Sequence, residues 1–306
     1  MQLPRTFIER MTSTYGSAGA EWCTTLPGRI AILTQQWNLD VGDPFPLTMN
    51  YVCRVTDRSH GTNLVLKVGF PAEEFEAELA MYEHLYGRSG VQRIAIDRHQ
   101  AAVLLPQVKP GTRLDAAGMS DHAQARIIAG LIQQNVFPND RLIDIPSIDT
   151  VVSDVLPHAR AVCVQRPELF SFDHLERACT IMTTTVSRSA WYPLHADLHA
   201  GNVLLSNDRF IHIDPQGLIG PQVYECTPFI RSRHTASLRK PHRIEETMAL
   251  LRVFATTLDI PVALLAQWCY ASAVAAAWWS FQSNGCIDAA EYQAIDDFWG
   301  IMQQHV

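Results

Sequence analysis

The chain has 306 residues, with 24 Lys and Arg against 31 Asp and Glu, which gives a net charge of −7 with histidine counted as neutral. A general nucleic-acid binder needs a basic surface to displace counterions from phosphates, so this composition argues against that class. Hydrophobic residues make up 47% and charged residues 18%, which excludes a disordered chain, a collagen and a coiled coil. Since a single core stops growing efficiently near about 250–300 residues, we expect two lobes.

The cysteines and the apolar segments bear on where the protein works. The seven cysteines are odd in number and nowhere spaced as CxxC, so the sequence indicates buried thiols in a reducing cytosol rather than disulfides or a zinc site. The first 16 residues lack a basic region followed by an apolar stretch, so no signal peptide is expected. Residues 260–286 carry no charge, but they are rich in Ala and contain polar residues, which favours a buried helix over a membrane span.

The N-terminal third is predicted to be rich in strands. Residues 51–57 and 62–68 are β-branched runs on either side of a turn that ends in Gly61, and they predict a hairpin. Residues 94–97 and 101–106 predict a second hairpin. Between the two, a helix is expected from Pro71 to Gly87, because acidic residues in its first turn complement the helix dipole.

One acidic residue of that helix lies in an unusual place. Phe75, Leu79, Tyr82 and Tyr86 recur at helical spacing and predict a buried stripe, and Glu78 falls inside it. A carboxylate that faces a core needs a cationic partner. Glu78 is therefore expected to pair with a basic side chain.

The remainder of the chain has helical periodicity. Residues 107–114 form a Pro- and Gly-containing connector, and helices are predicted at 120–135, 171–188, 241–258, 262–283 and 288–304. One hairpin at 203–214 interrupts them. The sequence thus predicts an α+β protein with a small β-rich lobe at 1–106 and a larger helical lobe at 107–306.

The densest polar segment follows the third predicted helix, at 171–188. It is HADLHAGN at residues 195–202, and IDPQG follows at 213–217, at the end of the hairpin. In phosphoryl transfer a carboxylate accepts the proton of the attacking hydroxyl, while an Asn oxygen and a second Asp bind Mg²⁺. Asp197, Asn202 and Asp214 have the residue types and order for that chemistry.

These motifs resemble those of the aminoglycoside phosphotransferases, which are relatives of the protein kinases. The likeness is closer to the streptomycin 6-kinase and hydroxyurea phosphotransferase branch, through IDPQGLIG after the hairpin and LDIPVALLAQWCYASAVAAAW at 258–278. It covers about residues 35–283. It implies a protein-kinase-like two-lobe fold and transfer of the γ-phosphate of ATP, with Mg²⁺, to a hydroxyl of a small molecule, foremost a streptomycin-like aminoglycoside.

The resemblance also implies roles for individual residues. Asp197 would be the catalytic base, Asn202 and Asp214 the magnesium ligands, and Lys67 the contact to the nucleotide phosphates with Glu78 as its partner. Residues 105–109 would be the hinge, where Gln107 or Val108 binds adenine. His199 would place a cation near the transferred phosphate.

Other interpretations of these residues stay open at this stage. Lys67 could be a solvated strand residue, Glu78 could pair with a structural arginine, and His199 could be a loop spacer. His195 is expected to bond the backbone of its loop. Trp278 and Trp279 are expected to be core residues, with one ring alternatively lining a substrate cleft.

The sequence departs from the family pattern at three places. Ala196 replaces the usual Gly, which predicts modest backbone strain. Pro106 lies in the hinge and has no N–H to offer adenine, so the choice of nucleotide is open. Residues 44–51 replace a glycine-rich loop.

The acceptor is the least determined part of the prediction. A cationic acceptor needs carboxylates, and the candidates are Glu225, Asp288, Glu291, Asp296 and Asp297. The alternatives are a kinase of hydroxyurea, a sugar or an amino alcohol, and a nucleotide-binding pseudokinase with a regulatory role. The sequence makes no prediction of the oligomeric state.

Overall fold

The structure is a computed structural model that describes residues 3–84, 89–135, 145–165, 171–187 and 190–304. The helices are α1 (Arg5–Gln36), α2 (Glu73–His84), α3 (Asp121–Gln134), α4 (Ile148–Gln165), α5 (Phe172–Thr184), α6 (Gln222–Ser237), α7 (Arg243–Leu258), α8 (Val262–Asn284) and α9 (Ala289–Gln303). The strands are β1 (Leu39–Pro44), β2 (Tyr51–Asp57), β3 (Asn63–Val68), β4 (Ala95–Asp97), β5 (Ala102–Pro106), β6 (Pro110–Arg113), β7 (Trp191–Leu194), β8 (Val203–Ser206), β9 (Arg209–His212) and β10 (Leu218–Pro221).

The N-terminal lobe is an antiparallel sheet with the strand order β1-β2-β3-β5-β4. Both predicted hairpins are confirmed, β2 with β3 and β4 with β5. The sheet has a helix on each face. On β3, Leu64, Leu66 and Val68 point toward α1, whereas Val65 points toward the α2 side, as the two-residue period of a strand requires. Lys67 alternates with the first set and so shares the α2 side.

The helical lobe contains two further small sheets. Strands β6, β8 and β9 form one, and β7 pairs with β10 in the other. The hairpin predicted at 203–214 is confirmed as β8 and β9. The expectation that this hairpin is the one β segment of the helical half was wrong, since part of the connector at 107–114 forms β6, which pairs with β8, and β7 pairs with β10. These short strands hold the loops that carry the motifs at 195–202 and 213–217.

The core of the helical lobe is built around α8. Its buried aromatic side chains Trp268, Tyr270 and Trp278 pack with Phe229 of α6 and Phe254 of α7. A 21-residue part of α8 is long and apolar enough to cross a membrane, but 61% of an 18-residue window within it is buried inside the lobe. Trp278 is a core residue as expected, while Trp279 is 41% exposed.

Three helices were not predicted from the sequence, and each contains a proline. These are α1 with Pro27, α4 with Pro157 and α6 with Pro228. Proline removes a backbone hydrogen bond, so its presence argues against a helix unless tertiary packing compensates. Helices α3, α5, α7, α8 and α9 agree with the predicted spans to within a few residues. The predicted end of α2 at Gly87, and Tyr86 of its stripe, lie outside the described residues.

The two lobes touch at a second place besides the hinge. Ser89 O accepts from His212 N at 3.1 Å, and Val91 N donates to His212 O at 2.9 Å. The buried side chains continue the contact, because Ser89 Oγ donates to Asn135 Oδ1 at 2.5 Å and Asn135 Nδ2 lies 3.0 Å from His212 Nε2. The segment before β4 is thereby bonded to the β8–β9 hairpin.

Candidate active site

The loop at 195–202 is held from behind by a buried carboxylate. Glu225, in the first turn of α6, accepts the backbone N–H groups of His195 at 2.8 Å and of Ala196 at 3.0 Å. Glu225 is 2% exposed, and burial raises the pKa of its carboxyl to about 7 against the opposing effect of the two N–H groups. Glu225 therefore positions the loop, and its expected role as a ligand for a cationic acceptor was wrong.

His195 connects the loop to the hairpin. Its Nδ1 accepts the backbone N–H of Asp197 at 3.3 Å, and its Nε2 lies 2.8 Å from Ile213 O, so Nε2 carries the proton. Burial lowers the pKa of the His195 imidazole, which keeps the ring neutral. His195 bonds the loop backbone, as the sequence predicts.

The loop also contains backbone in the left-handed region. Ala196 has φ 67° and Asp214, after the hairpin, has φ 65°. A side chain in this region costs roughly 1–2 kcal/mol relative to glycine. The departure from Gly at position 196 is thus accompanied by strain, as expected.

Asp197 is held by its two polar neighbours in the loop. Asn202 Nδ2 donates to Asp197 Oδ2 at 3.1 Å and to Asp197 O at 3.0 Å. His199 Nε2 lies 3.5 Å from Asp197 Oδ2, while its Nδ1 accepts the N–H of Gly201 at 3.0 Å. His199 thus caps the turn at Ala200–Asn202, which agrees with the loop-spacer interpretation, and it also faces Asp197.

Lys67 of β3 forms ion pairs with Glu78 of α2 and with Asp214. Lys67 is 3% exposed, and although burial lowers the pKa of the ammonium, the two carboxylates raise it above its usual value. Burial raises the pKa of Asp214 in turn, and the Lys67 ammonium more than offsets this and leaves it below its usual value. Both the exposed-lysine and the structural-arginine interpretations were therefore wrong.

Tyr82 is a member of this cluster that the sequence did not identify. Tyr82 lies one helical turn beyond Glu78 on α2. Its hydroxyl forms hydrogen bonds with the Glu78 carboxylate and with the backbone of Asp214. Because its ring belongs to the apolar stripe, the sequence indicates a core residue only. The sequence signal that could have identified Tyr82 is its position four residues after Glu78, which places both side chains on the same face of the helix.

A cavity of about 580 Å³ lies beside Asp197, which forms part of its wall. Its walls come from the loop at 195–202, α6, α8 and the start of α9. They consist of Asp197, His199, Pro228, Arg231, Ser232, Thr235, Ala236, Ala273, Ala276, Asp288, Ala290, Glu291 and Ala294. This volume lies in the range of small-molecule sites, about 300–1,000 Å³.

Residues 40–284 match the model of the aminoglycoside/hydroxyurea antibiotic resistance kinases. The chain belongs to this family. Among curated relatives, the kinase is similar to a hydroxyurea phosphotransferase of Kitasatospora aureofaciens, with 27% identity over 74% of this chain and 67% of the relative. It is also similar to a streptomycin 6-kinase of Streptomyces glaucescens, with 23% identity over 93% and 92%.

Solved structures show the same fold at low sequence identity. A thermostable mutant of the aminoglycoside phosphotransferase APH(4)-Ia, in ternary complex with ADP and hygromycin B, aligns with a TM-score of 0.58 and 13% identity over 88% of the kinase and 97% of that chain. Choline kinase from Cryptosporidium parvum aligns with a TM-score of 0.56 and 11% identity over 88% and 89%. The kinase thus has the protein-kinase-like two-lobe fold, and it is a small-molecule phosphotransferase that uses a nucleotide and a hydroxyl acceptor.

The hinge of the kinase runs from the end of β5 into β6. Gln107 N donates to Asn63 O at 3.3 Å, so this N–H is engaged by the neighbouring strand. Pro106 has none to offer. Val108 packs against the apolar cluster of Val103, Leu105 and Ile211.

The oxygen atoms near Lys67 suit a hard divalent cation. Asn202 gives its amide nitrogen to Asp197, and no described residue donates to its Oδ1. With a carboxylate of Asp214, this amide oxygen makes a pair of the ligand type that Mg²⁺ prefers. Among the described residues there is no group of three or more His, Cys, Asp or Glu side chains arranged for a metal, so phosphates and water would complete the shell.

Of the acidic candidates for the acceptor, Asp288 and Glu291 line the cavity. Asp297 is engaged elsewhere, with Arg243 Nε at 2.6 Å and His234 Nε2 at 3.1 Å. Asp296 is exposed and outside the lining residues. The predicted acceptor carboxylates thus reduce to two, both in the first turn region of α9.

Proposed function

We propose that the kinase transfers the γ-phosphate of ATP, with Mg²⁺, to a hydroxyl of a streptomycin-like aminoglycoside. The observation that carries this proposal is the position of Asp197. It lies between a ligand-sized cavity and the cluster of Asn202, Asp214 and Lys67. A base in that position can reach an acceptor hydroxyl while the donor phosphates lie beside the lysine.

Asp197 acts as the general base in this proposal. Its carboxylate accepts the proton of the acceptor hydroxyl as the oxygen attacks the γ-phosphorus and the bond to the β-phosphate oxygen breaks. Asn202 and His199 support this role because they fix the carboxylate from two sides. A base held in one orientation loses less entropy on reaching the transition state.

The nucleotide is bound by groups of both lobes in this proposal. Lys67 contacts the phosphates, Glu78 orients Lys67, Val108 binds adenine, and His199 faces the transferred phosphate. Asn202 Oδ1 and Asp214 would hold Mg²⁺, which when bound neutralises charge on the phosphates. Residues 1–106 then serve as the nucleotide lobe and residues 107–306 as the lobe that carries the catalytic loop and the acceptor.

We also propose that the kinase works in the cytosol. All seven cysteines are free thiols, which suits a reducing compartment, although Cys286 is exposed against the expectation that all are buried.

A cationic acceptor agrees with the net charge of −7 and with the two carboxylates in the cavity.

The test is phosphoryl transfer by the purified protein with ATP and Mg²⁺, with streptomycin and hydroxyurea as separate acceptors. Mass spectrometry of the acceptor is expected to show a monophosphorylated streptomycin. Phosphorylation of hydroxyurea alone would move the assignment to that acceptor, in line with the relative from Kitasatospora aureofaciens. ATP turnover without either product would contradict both.

A further inference from the structure

The walls of the acceptor cavity carry charges of both signs. Asp288 and Glu291 are on α9, and Asp197 is in the catalytic loop, whereas Arg231 on α6 supplies a guanidinium. The first three suit a cationic acceptor. Arg231 does not, because a cation bound beside it would be repelled.

Arg231 differs from other partly buried arginines of this lobe in having no carboxylate partner among the described residues. Arg243 pairs with Asp297, and Arg233 pairs with Asp121. Arg231 Nη1 donates to the backbone oxygen of Ser272 on α8 at 3.3 Å. That bond fixes the guanidinium at the wall and leaves its remaining N–H groups without a negative charge to balance them.

Arg231 lies on α6 beyond the residue that holds the loop at 195–202. Glu225, whose carboxylate holds the backbone of the catalytic loop, lies six residues before Arg231, which is about 9 Å along the helix axis. Ser232 and Thr235 line the same wall and add hydroxyl groups, while Ala273 and Ala276 of α8 leave room opposite. Arg231 thus lies with these hydroxyl groups on the α6 wall of the cavity, less than two helical turns beyond the residue that holds the loop.

We propose that Arg231 determines the charge preference of the acceptor site. Its guanidinium binds an uncharged or anionic oxygen of the acceptor, such as a carbonyl or hydroxyl, and excludes a cationic group from the α6 wall. Cationic groups of the acceptor bind instead at Asp288 and Glu291. This inference refines the proposed function, on which it rests, and it describes an acceptor with an oxygen-rich end and a cationic end.

The test compares streptomycin, which carries several positive charges, with hydroxyurea, which is uncharged and has a carbonyl oxygen. Their dissociation constants are measured by calorimetry for the wild type, Arg231→Gln, Arg231→Glu and the control Arg252→Glu. Arg252 is exposed on α7 outside the cavity, and its substitution makes the same change in net charge. The unfolding midpoint of each variant is measured alongside.

We expect Arg231→Glu to bind streptomycin roughly tenfold more tightly than Arg252→Glu does, and both Arg231 variants to bind hydroxyurea more weakly than the wild type. Equal weakening of both ligands, or no difference between Arg231→Glu and Arg252→Glu, would overturn the inference. Because binding needs no turnover, these outcomes are separate from the phosphorylation assay. A wild type that phosphorylates neither acceptor contradicts the proposed function, while opposite shifts of the two ligands still support the role of Arg231.

Discussion

The charged side chains on the two sides of Asp197 differ in whether they have ion-pair partners within the protein. On the side that we propose binds the nucleotide, Lys67 is buried between Glu78 and Asp214, so its charge is balanced within the protein. On the acceptor side, Arg231 and Glu291 face a cavity of about 580 Å³, and neither has an ion-pair partner among the described side chains. The first arrangement is organised before any ligand binds. The second leaves its charges for the acceptor to complement.

This difference follows from what each side must recognise. Phosphate groups are common to every nucleotide, so a fixed cation with a fixed partner serves all of them. Acceptors differ in shape and charge, and a wall of alanines with a few polar groups accommodates such differences through single substitutions. We expect the largest losses of activity at the shared boundary, Asp197, and smaller ones farther away.

The largest effect is predicted for Asp197→Asn. The amide keeps the size of the side chain but cannot accept a proton, so turnover is expected to fall by roughly 10²- to 10⁴-fold. Steady-state kinetics measures turnover, and calorimetry with an ATP analogue measures nucleotide binding, which should be little changed. The matched control is Asp208→Asn in the exposed turn between β8 and β9. Turnover near the wild-type rate in Asp197→Asn would mean that another group is the base.

The next effect concerns the balanced charges of the nucleotide side. Lys67→Met leaves two carboxylates without their cation, whereas Glu78→Gln leaves Lys67 paired with Asp214. We expect Lys67→Met to lower the free energy of unfolding by about 3 kcal/mol and to abolish most turnover, and Glu78→Gln to do both to a smaller extent. Urea unfolding and kinetics measure the two quantities. Lys240→Met, an exposed position, is the control, and equal effects of the two cluster variants would contradict the arrangement.

A pH effect is predicted at the carboxylate that holds the catalytic loop. The pKa of Glu225 is about 7 in the folded protein, above the ordinary value of 4.5, so the folded state binds more protons than the unfolded state between these values. Its contribution to stability is complete below pH 4.5 and is lost as pH rises through 7, by up to about 3 kcal/mol. Urea unfolding at pH 5 and pH 7.5 measures the loss, which Glu225→Gln should reduce. The exposed Glu245→Gln should leave it unchanged.

The smallest effect is predicted for the strained residue of the loop. Ala196→Gly removes the cost of a side chain at φ 67°, but it also adds freedom to the unfolded chain. We expect a gain of about 0.5 kcal/mol in thermal or urea unfolding. Ala200→Gly deletes the same methyl group from a buried residue of the same loop without a positive φ, and a loss of about 1 kcal/mol is expected there. Similar losses in both variants would show that the strain at Ala196 is compensated.

The sequence predicted those features that depend on local pattern. Strand alternation and turn residues predicted both N-lobe hairpins. The position of Glu78 inside an apolar stripe predicted that its carboxylate pairs with a cation. The same argument applies to Glu225, which lies in the apolar run VYECTPFI, but it was assigned to the acceptor instead. Helices α1, α4 and α6 were missed because each contains a proline that only tertiary packing makes acceptable. The cavity could not be predicted from the sequence, because α6, α8 and α9 are distant in the chain and form its walls only in the folded protein.

The second contact between the lobes limits how they can move. The hinge at 105–109 is one fixed point, and the backbone bonds from Ser89 and Val91 to His212 are another. Gly90 lies so close to the His212 ring that a Cβ there would come within 2.7 Å of the ring carbon Cε1. Rotation about the line through these two points would separate Lys67 from Asp214, and Ala80 and Met81 from Ile145 and Ile219, so opening the cleft costs an ion pair and an apolar contact.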